Sequence, residues 1–276
     1  MIPYIVVAIL GLVFGSFLNV CIHRLPRYES IVTPRSRCPR CHHLIRWYDN
    51  VPVLSYLVLR GRCRDCRAPI SPAYPLVELL TAGVLVAGLE RYGLTPELVK
   101  YAVLGMLLVV VTFTDLFARK IPHAVTLFGI AAGLLLSFVV PVDDRLLEFV
   151  LARFGFYPGE TLSSVLGAVS GAVFGGGLFY VVAEVFARLR HKQGLGFGDV
   201  MLMGMIGTFL GVPLTYLTIL LGSLLGSVIA LALYASSARF RHDYRWPYGT
   251  FLAAAGIYAS WGGSALIDAY LHWSRF

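Results

Sequence analysis

The chain has 276 residues, of which 58% are apolar and 14% charged, against roughly 45–50% and 25% in an average soluble domain. The apolar residues are gathered into uncharged blocks, which argues against a soluble globular enzyme and places the chain among membrane proteins. Lys and Arg number 23 against 15 Asp and Glu, a balance of +8, but ten of the basic residues lie between Arg24 and Arg67, so the charge marks a membrane-flanking loop and argues against nucleic acid as a partner.

The first apolar block, 2–20, has no basic residue before it, and Arg24 and Arg27 follow it. It reads as a first span with its N-terminus outside and not as a signal peptide. Residues 1–21 are thus expected to form the first transmembrane helix, 22–73 a polar loop, and 74–276 the remaining membrane domain. Further candidate spans, by the rule of about 20 apolar residues per crossing, are 74–89, 98–114, 124–140, 162–186, 200–210, 214–234 and 250–271. The expected fold is an all-α polytopic membrane protein with about eight transmembrane helices. The 200–210 block is short and ends at Gly211-Val212-Pro213, which predicts either a half-span or a polar approach sunk in the protein. With the N-terminus outside, segments 22–73, 115–123, 187–199 and 235–249 face the cytoplasm and carry 18 of the 23 basic residues, the bias expected of cytoplasmic loops. Gly167, Gly171 and Gly175, then Gly207 with Gly211 and Gly222 with Gly226, repeat at four-residue spacing, as close helix packing requires.

The loop after the first span holds Cys38-Pro39-Arg40-Cys41 and, 21 residues later, Cys63-Arg64-Asp65-Cys66. Two turns each offering a pair of thiolates close a tetrahedral zinc site, and a loop poor in large apolar residues benefits most from such a staple. His42 or His43 could substitute for one of the thiols. Four protein ligands leave no open position, so the zinc is expected to be structural in a ribbon-like loop. Cys21 is left as a spare thiol. Trp47, Tyr48, Tyr56 and the arginines of the loop suit anionic lipid headgroups or a protein partner better than nucleic acid.

Asp115 ends one span and Asp199 opens another, both at cytoplasmic ends. An aspartate at the centre of a membrane helix costs about 2.5–3.5 kcal/mol, and less near an interface. Either alone could simply cap its helix. Gly194, Gly196 and Gly198 fall in the five residues before Asp199, and glycine lets backbone approach another chain closely, as gripping an extended peptide requires. Gly196 and Gly198 are therefore expected to position a substrate. Paired with Asp115, Asp199 could activate water, one member as base and the other as acid. That is aspartyl protease chemistry.

These motifs resemble those of the bacterial type IV prepilin peptidases, membrane aspartyl proteases of the GxGD type. Gly15-Ser16-Phe17-Leu18-Asn19-Val20 with His23-Arg24-Leu25-Pro26 looks like the family's opening motif, and the two CxxC pairs like its zinc loop. Asn50-Val51-Pro52-Val53-Leu54-Ser55 and Arg60-Gly61-Arg62-Cys63 match loop signatures, Asp115 with Ile121-Pro122 the first catalytic motif, and Gly196-Phe197-Gly198-Asp199 the second. His123, Met201 and Ala73 depart from the family pattern without removing either carboxylate. The resemblance implies a bacterial inner-membrane enzyme with Asp115 and Asp199 catalytic, facing the cytoplasm. It implies cleavage of the basic leader of type IV prepilins or type II secretion pseudopilins after glycine, and N-methylation of the new N-terminus with S-adenosylmethionine. No GxGxxG or βαβ pattern marks a nucleotide site, so no residue is assigned to that cofactor. Oligomeric state is left open.

The rival classes are an ion-coupled transporter, which would place carboxylates near the midplane in two repeated halves, and a non-enzymatic scaffold with a zinc loop. Glu78 could meet an amine or make a structural hydrogen bond. His23, His123, His191, His242, Glu184 and Asp243 are read as interfacial or packing residues. Within the pair, the end of one helix at Asp115 and the start of another at Asp199 put the proton on Asp115 and the charge on Asp199.

Overall fold

The structure, a computed structural model, describes residues 1–191, 194–236 and 246–274. His242 and Asp243 lie outside the described residues. Within the described residues the chain is helical, with two isolated β-bridges and no strand. It divides into two compact units, Met1–Leu98 and Val99–Phe276.

In the first unit, α1 (Ile2–Arg24) and α3 (Ala73–Tyr92) pack together, with the polar loop and the short α2 (Leu54–Val58) between them in sequence. Gly11 and Gly15 set the approach: a Cβ on Gly11 would lie 2.5 Å from Ala82 Cα, and one on Gly15 2.6 Å from Glu78 Cα. Such backbone contact gains dispersion energy where lipid supplies no hydrophobic drive. Asn19 Nδ2 adds a bond to the Tyr74 carbonyl at 3.0 Å. The first compact unit thus extends through α3 to Leu98, because α3 takes its packing partner from α1.

The second unit holds α4 (Pro96–Ala118, all but its first turn), α5 (His123–Leu136), α6 (Arg145–Arg153), α7 (Glu160–Arg190), α8 (Phe197–Ser236) and α9 (Tyr248–Trp273). Helix α8 is central, packed by α5, α7 and α9. Gly171 meets the Gly207 carbonyl and Gly175 the Met203 carbonyl in the α7–α8 seam, while Gly222 and Gly226 face Leu252 and Phe251 of α9. Met203, Met205, Ile206 and Phe209 are fully buried on α8.

Among the described residues six helices, α1, α3, α4, α7, α8 and α9, are long and apolar enough to cross a membrane. Helix α5, with 14 residues, spans about 21 Å, short of the roughly 30 Å hydrocarbon core. The expected spans 200–210 and 214–234 are joined in one 40-residue helix broken at Gly211, where φ is 70° and ψ −179°. Pro213 offers no N–H, and Gly211 supplies a left-handed φ that only glycine adopts cheaply. Asp144, 1% exposed, fills the gap: its Oδ2 accepts from Val212 N at 2.9 Å and Ser170 Oγ at 3.2 Å, and its Oδ1 from Leu147 N at 3.1 Å. One carboxylate thus caps both α6 and the second half of α8. Helix α6, absent from the span reading because it is short and amphipathic, follows directly. Lys100 is fully buried, with Nζ donating to the carbonyls of Val140 (3.1 Å) and Pro141 (3.2 Å) beyond the end of α5, where a cation is favoured.

Candidate functional site

The four loop cysteines converge, with all four sulfurs within 4.8 Å of one another. Each CxxC turn is built the same way. His42 and Arg67, each immediately after its second cysteine, have φ near +59° and +58°, and their N–H groups return to the carbonyls of Cys38 and Cys63 at 3.0 Å. Bridges Arg37–Leu44 and Arg62–Pro69 close the two turns. Zinc–sulfur bonds of about 2.3 Å in a tetrahedron set sulfurs about 3.8 Å apart, and Cys38 Sγ to Cys66 Sγ is 3.8 Å. The residues therefore fit a tetrahedral ion. Burial alone would push the Cys38 thiol up, but backbone N–H groups of Cys41 and Arg40 and the neighbouring thiols bring it down to about 7. Cys41, favoured by the His43 backbone but opposed by burial and by the other three sulfurs, is pushed up to about 12. Four thiolates at this spacing would repel one another, and a bound cation would relieve that repulsion. Cys21 is buried in α1, away from this group.

Around the cluster, Arg64 grips Asp49 through Nη2 to Oδ1 at 2.6 Å and Nε to Oδ2 at 2.8 Å. Hydrogen bonding to Arg64 holds the Asp49 carboxyl below its ordinary range. Val53, at φ +58°, is the central residue of a tight turn from Pro52 to Leu54, a strained conformation for a β-branched side chain. Its N–H is held by Glu78 Oε2 at 2.7 Å. Glu78 thus makes the structural hydrogen bond that was one of its two readings. A cavity of about 320 Å³ in the same loop is lined by Arg35, Ser36, Ile45, Trp47 and Asn50.

In the second unit, Asp115 lies in the last turn of α4 and is 8% exposed. Asp199 is the third residue of α8, partly buried and close enough to Asp115 for the two charges to interact. The glycine segment folds onto its aspartate: Asp199 N donates to the Gly196 carbonyl at 3.0 Å, and Gly196 N to Asp199 Oδ2 at 3.2 Å. Ile121 joins three helix ends. A Cβ on Gly198 would sit 3.0 Å from Ile121 Cβ, and one on Gly249 2.8 Å from Ile121 Cδ1 and 3.1 Å from Asp115 Oδ2. His123, the first residue of α5, packs its ring on Phe197, 5.8 Å between centroids.

Sequence reasoning missed the head of α9. Thr250 N donates to Asp115 Oδ2 at 3.0 Å, with Thr250 Oγ1 3.4 Å from the same oxygen. Tyr248 O–H pairs with Ser223 Oγ at 2.8 Å and its ring stacks on Phe179. The signal was available in Pro247-Tyr248-Gly249-Thr250, a proline, a glycine and a polar residue opening an apolar span. The other polar residues behave as interfacial groups: His23 stacks on Tyr74 at 4.9 Å, and Glu184 pairs with Arg188 at 2.7 Å on an exposed face.

Residues 9–92 match the bacterial peptidase A24 N-terminal domain, and residues 102–231 the type IV leader peptidase family. Prepilin leader peptidase/N-methyltransferases of Myxococcus xanthus, Burkholderia pseudomallei (strain 1026b) and Aeromonas salmonicida (strain A449) are 40%, 33% and 34% identical to the chain. The alignments cover 84%, 90% and 96% of this chain and 63%, 82% and 92% of those relatives, so the chain spans under two thirds of the Myxococcus protein. No solved structure matches the chain. The two matched regions fall one in each compact unit, and the chain belongs to the type IV leader peptidase family.

Proposed function

We infer that the protein is a membrane aspartyl endopeptidase that removes the basic leader of type IV prepilins or type II secretion pseudopilins and then N-methylates the new N-terminus. The observation that carries the peptidase reading is the meeting of Asp115 and Asp199 at neighbouring helix ends, with Ile121 packed against the glycines of both α8 and α9. In the reaction, the charged carboxylate takes a proton from water as the oxygen attacks the scissile carbonyl, and the protonated one donates to the carbonyl oxygen. The tetrahedral species then collapses as a proton passes to the leaving nitrogen. Gly196 and Gly198 keep side chains out of the approach to Asp199, leaving backbone for an extended peptide to lie against.

The remaining assignments follow the same reading. The active site faces the cytoplasm of a bacterial inner membrane, the N-terminus lies outside, and eight apolar segments cross or enter the bilayer, in keeping with the skew of basic residues. The four-cysteine loop binds zinc as a structural ion through Cys38, Cys41, Cys63 and Cys66, and its basic, aromatic surface meets lipid headgroups. For the methyl donor, the 320 Å³ cavity has ligand size, and Trp47, Arg35 and Asn50 offer a stacking ring, a carboxylate partner and an amide. S-adenosylmethionine supplies an electrophilic methyl group there. Incubating the purified protein with a synthetic prepilin N-terminal segment and S-adenosylmethionine, then weighing the products, tests both activities. Leader loss with a methyl-sized gain on the mature fragment is the expected result, and an intact substrate overturns the reading.

A further inference from the structure

We propose that Thr250 is a positioning residue that sets the polarity of the aspartate pair, holding the charge on Asp115 and leaving the shared proton on Asp199. The inference rests on the reading of Asp115 and Asp199 as the catalytic pair and adds which member is base and which is acid. The ends of α4 and α8 taken alone point the other way, since a helix C-terminus disfavours charge on Asp115 and a helix N-terminus favours it on Asp199. A third helix reverses that balance.

Thr250 is the third residue of α9, so its N–H is one of those a helix leaves without an internal acceptor. It donates to Asp115 Oδ2 at 3.0 Å. The Thr250 hydroxyl lies 3.4 Å from the same oxygen and 3.2 Å from the Thr112 carbonyl, a second donor shared between two acceptors. Gly249 permits the approach, because any Cβ there would stand 3.1 Å from Oδ2. Asp115 therefore closes its own helix but sits against the positive end of another, and Arg119 adds a cation within electrostatic range. Asp199 receives one N–H, from Gly196 at 3.2 Å within its own turn. Among the described residues, the other titratable groups on the elements packed there are Tyr248, which lies within electrostatic range of Asp199 and whose hydroxyl is engaged by Ser223, and His123 at the start of α5, whose ring rests on Phe197. Within the described residues neither donates a hydrogen bond to either carboxylate. With more donors on Asp115, the singly protonated pair keeps its charge there, and Asp115 is the base toward water while Asp199 protonates the scissile carbonyl.

Two limbs of the pH–rate profile separate the alternatives. The acid limb reports the first charge placed on the pair, and the alkaline limb the second, both belonging to the pair and not to one residue. If the first charge sits on Asp115, removing the Thr250 donors moves the acid limb up and leaves the alkaline limb in place, since Asp115 is already charged on both sides of the second step. If the first charge sits on Asp199, only the alkaline limb moves up. Thr250→Pro removes both donors at a first-turn position where proline is tolerated, after a glycine. Hydrogen bonds to charged groups are strong enough that the shift should be about one pH unit. Thr250→Val removes the hydroxyl alone and should move the same limb by a smaller amount, and Thr250→Ser should restore the parent profile. The assay is cleavage of a synthetic prepilin N-terminal segment by the full-length protein in lipid nanodiscs between about pH 4 and 9. An upward shift of the alkaline limb, or no shift of either limb, overturns the proposal; if Thr250→Pro does not fold, Thr250→Val decides between the same outcomes. Cleavage surviving in Asp115→Asn or Asp199→Asn would instead remove the catalytic pair itself, a separate failure from an unmoved acid limb in a pair that both substitutions inactivate.

Discussion

Replacing Asp144 with Ala tests whether one buried carboxylate holds the break in α8. The side chain accepts three bonds, from Val212 N, Leu147 N and Ser170 Oγ, but the three donors do not suffer equally when it is removed. Ser170 keeps its bond to the Gly167 carbonyl at 2.9 Å, and Leu147, in the first turn of the short α6, loses an N-cap, at about 1 kcal/mol. Val212 N has no helical acceptor, because the chain leaves helical geometry at Gly211, and an orphaned, part-buried N–H costs about 1–3 kcal/mol. The sum is about 2–4 kcal/mol. For a chain of this size that corresponds to a fall in Tm of roughly 5–15 °C, readable by thermal unfolding in a mild detergent. Asp144→Asn keeps one acceptor oxygen for the two N–H groups and should lose about half as much. Cleavage well below the new Tm should persist, since Asp144 touches neither Asp115 nor Asp199 among the contacts described. An Asp144→Ala protein with an unchanged Tm would refute the reasoning.

Asp115→Asn and Asp199→Asn should each abolish leader cleavage while the protein stays folded and inserted, because Asn keeps the volume but cannot exchange the proton; full activity by mass spectrometry in either variant contradicts the assignment. Wild-type protein should contain about one zinc per chain by elemental analysis, and Cys38→Ser with Cys41→Ser should release it and make residues 30–70 sensitive to protease, since the metal supplies local folding energy. Asp49 is held below the ordinary carboxylate range by Arg64, so the contribution of the pair is complete above about pH 4 and is lost as pH falls through the depressed value. In Arg64→Gln the Asp49 titration midpoint, followed by carbon-13 NMR, should move up, and an unmoved midpoint argues against the pairing. Gly171→Leu should disrupt the α7–α8 seam, where a Cβ has no room against the Gly207 carbonyl, and should lower Tm by more than a single ordinary overpacking of about 1–3 kcal/mol. Gly177→Ala, with open space around its Cβ, should be neutral or slightly stabilising.

The sequence by itself carried everything that depends on local pattern. Uncharged blocks announced the long helices because a membrane helix satisfies its backbone internally and needs only length and apolarity. The two CxxC turns announced the cysteine cluster because two short, repeated spacings are the pattern by which a chain gathers four sulfurs suited to one ion. Asp115 and the glycine-flanked Asp199 stood out because carboxylates at span ends are costly and few. The tertiary structure decided what depends on residues far apart along the chain. Asp115 and Thr250 are 135 residues apart, Asp144 and Val212 68, and Val53 and Glu78 25. None of these pairs has a periodicity to betray it. How the expected spans 200–210 and 214–234 are joined was also decided at this level: the helix breaks at Gly211, and Asp144 supplies the acceptor that the break leaves missing. The polarity of the aspartate pair is a property of the same kind. Two helix ends can be placed from sequence, but the third, at Thr250, acts on Asp115 only because α9 folds back beside α4, and the direction of a helix dipole matters only at the point where it ends.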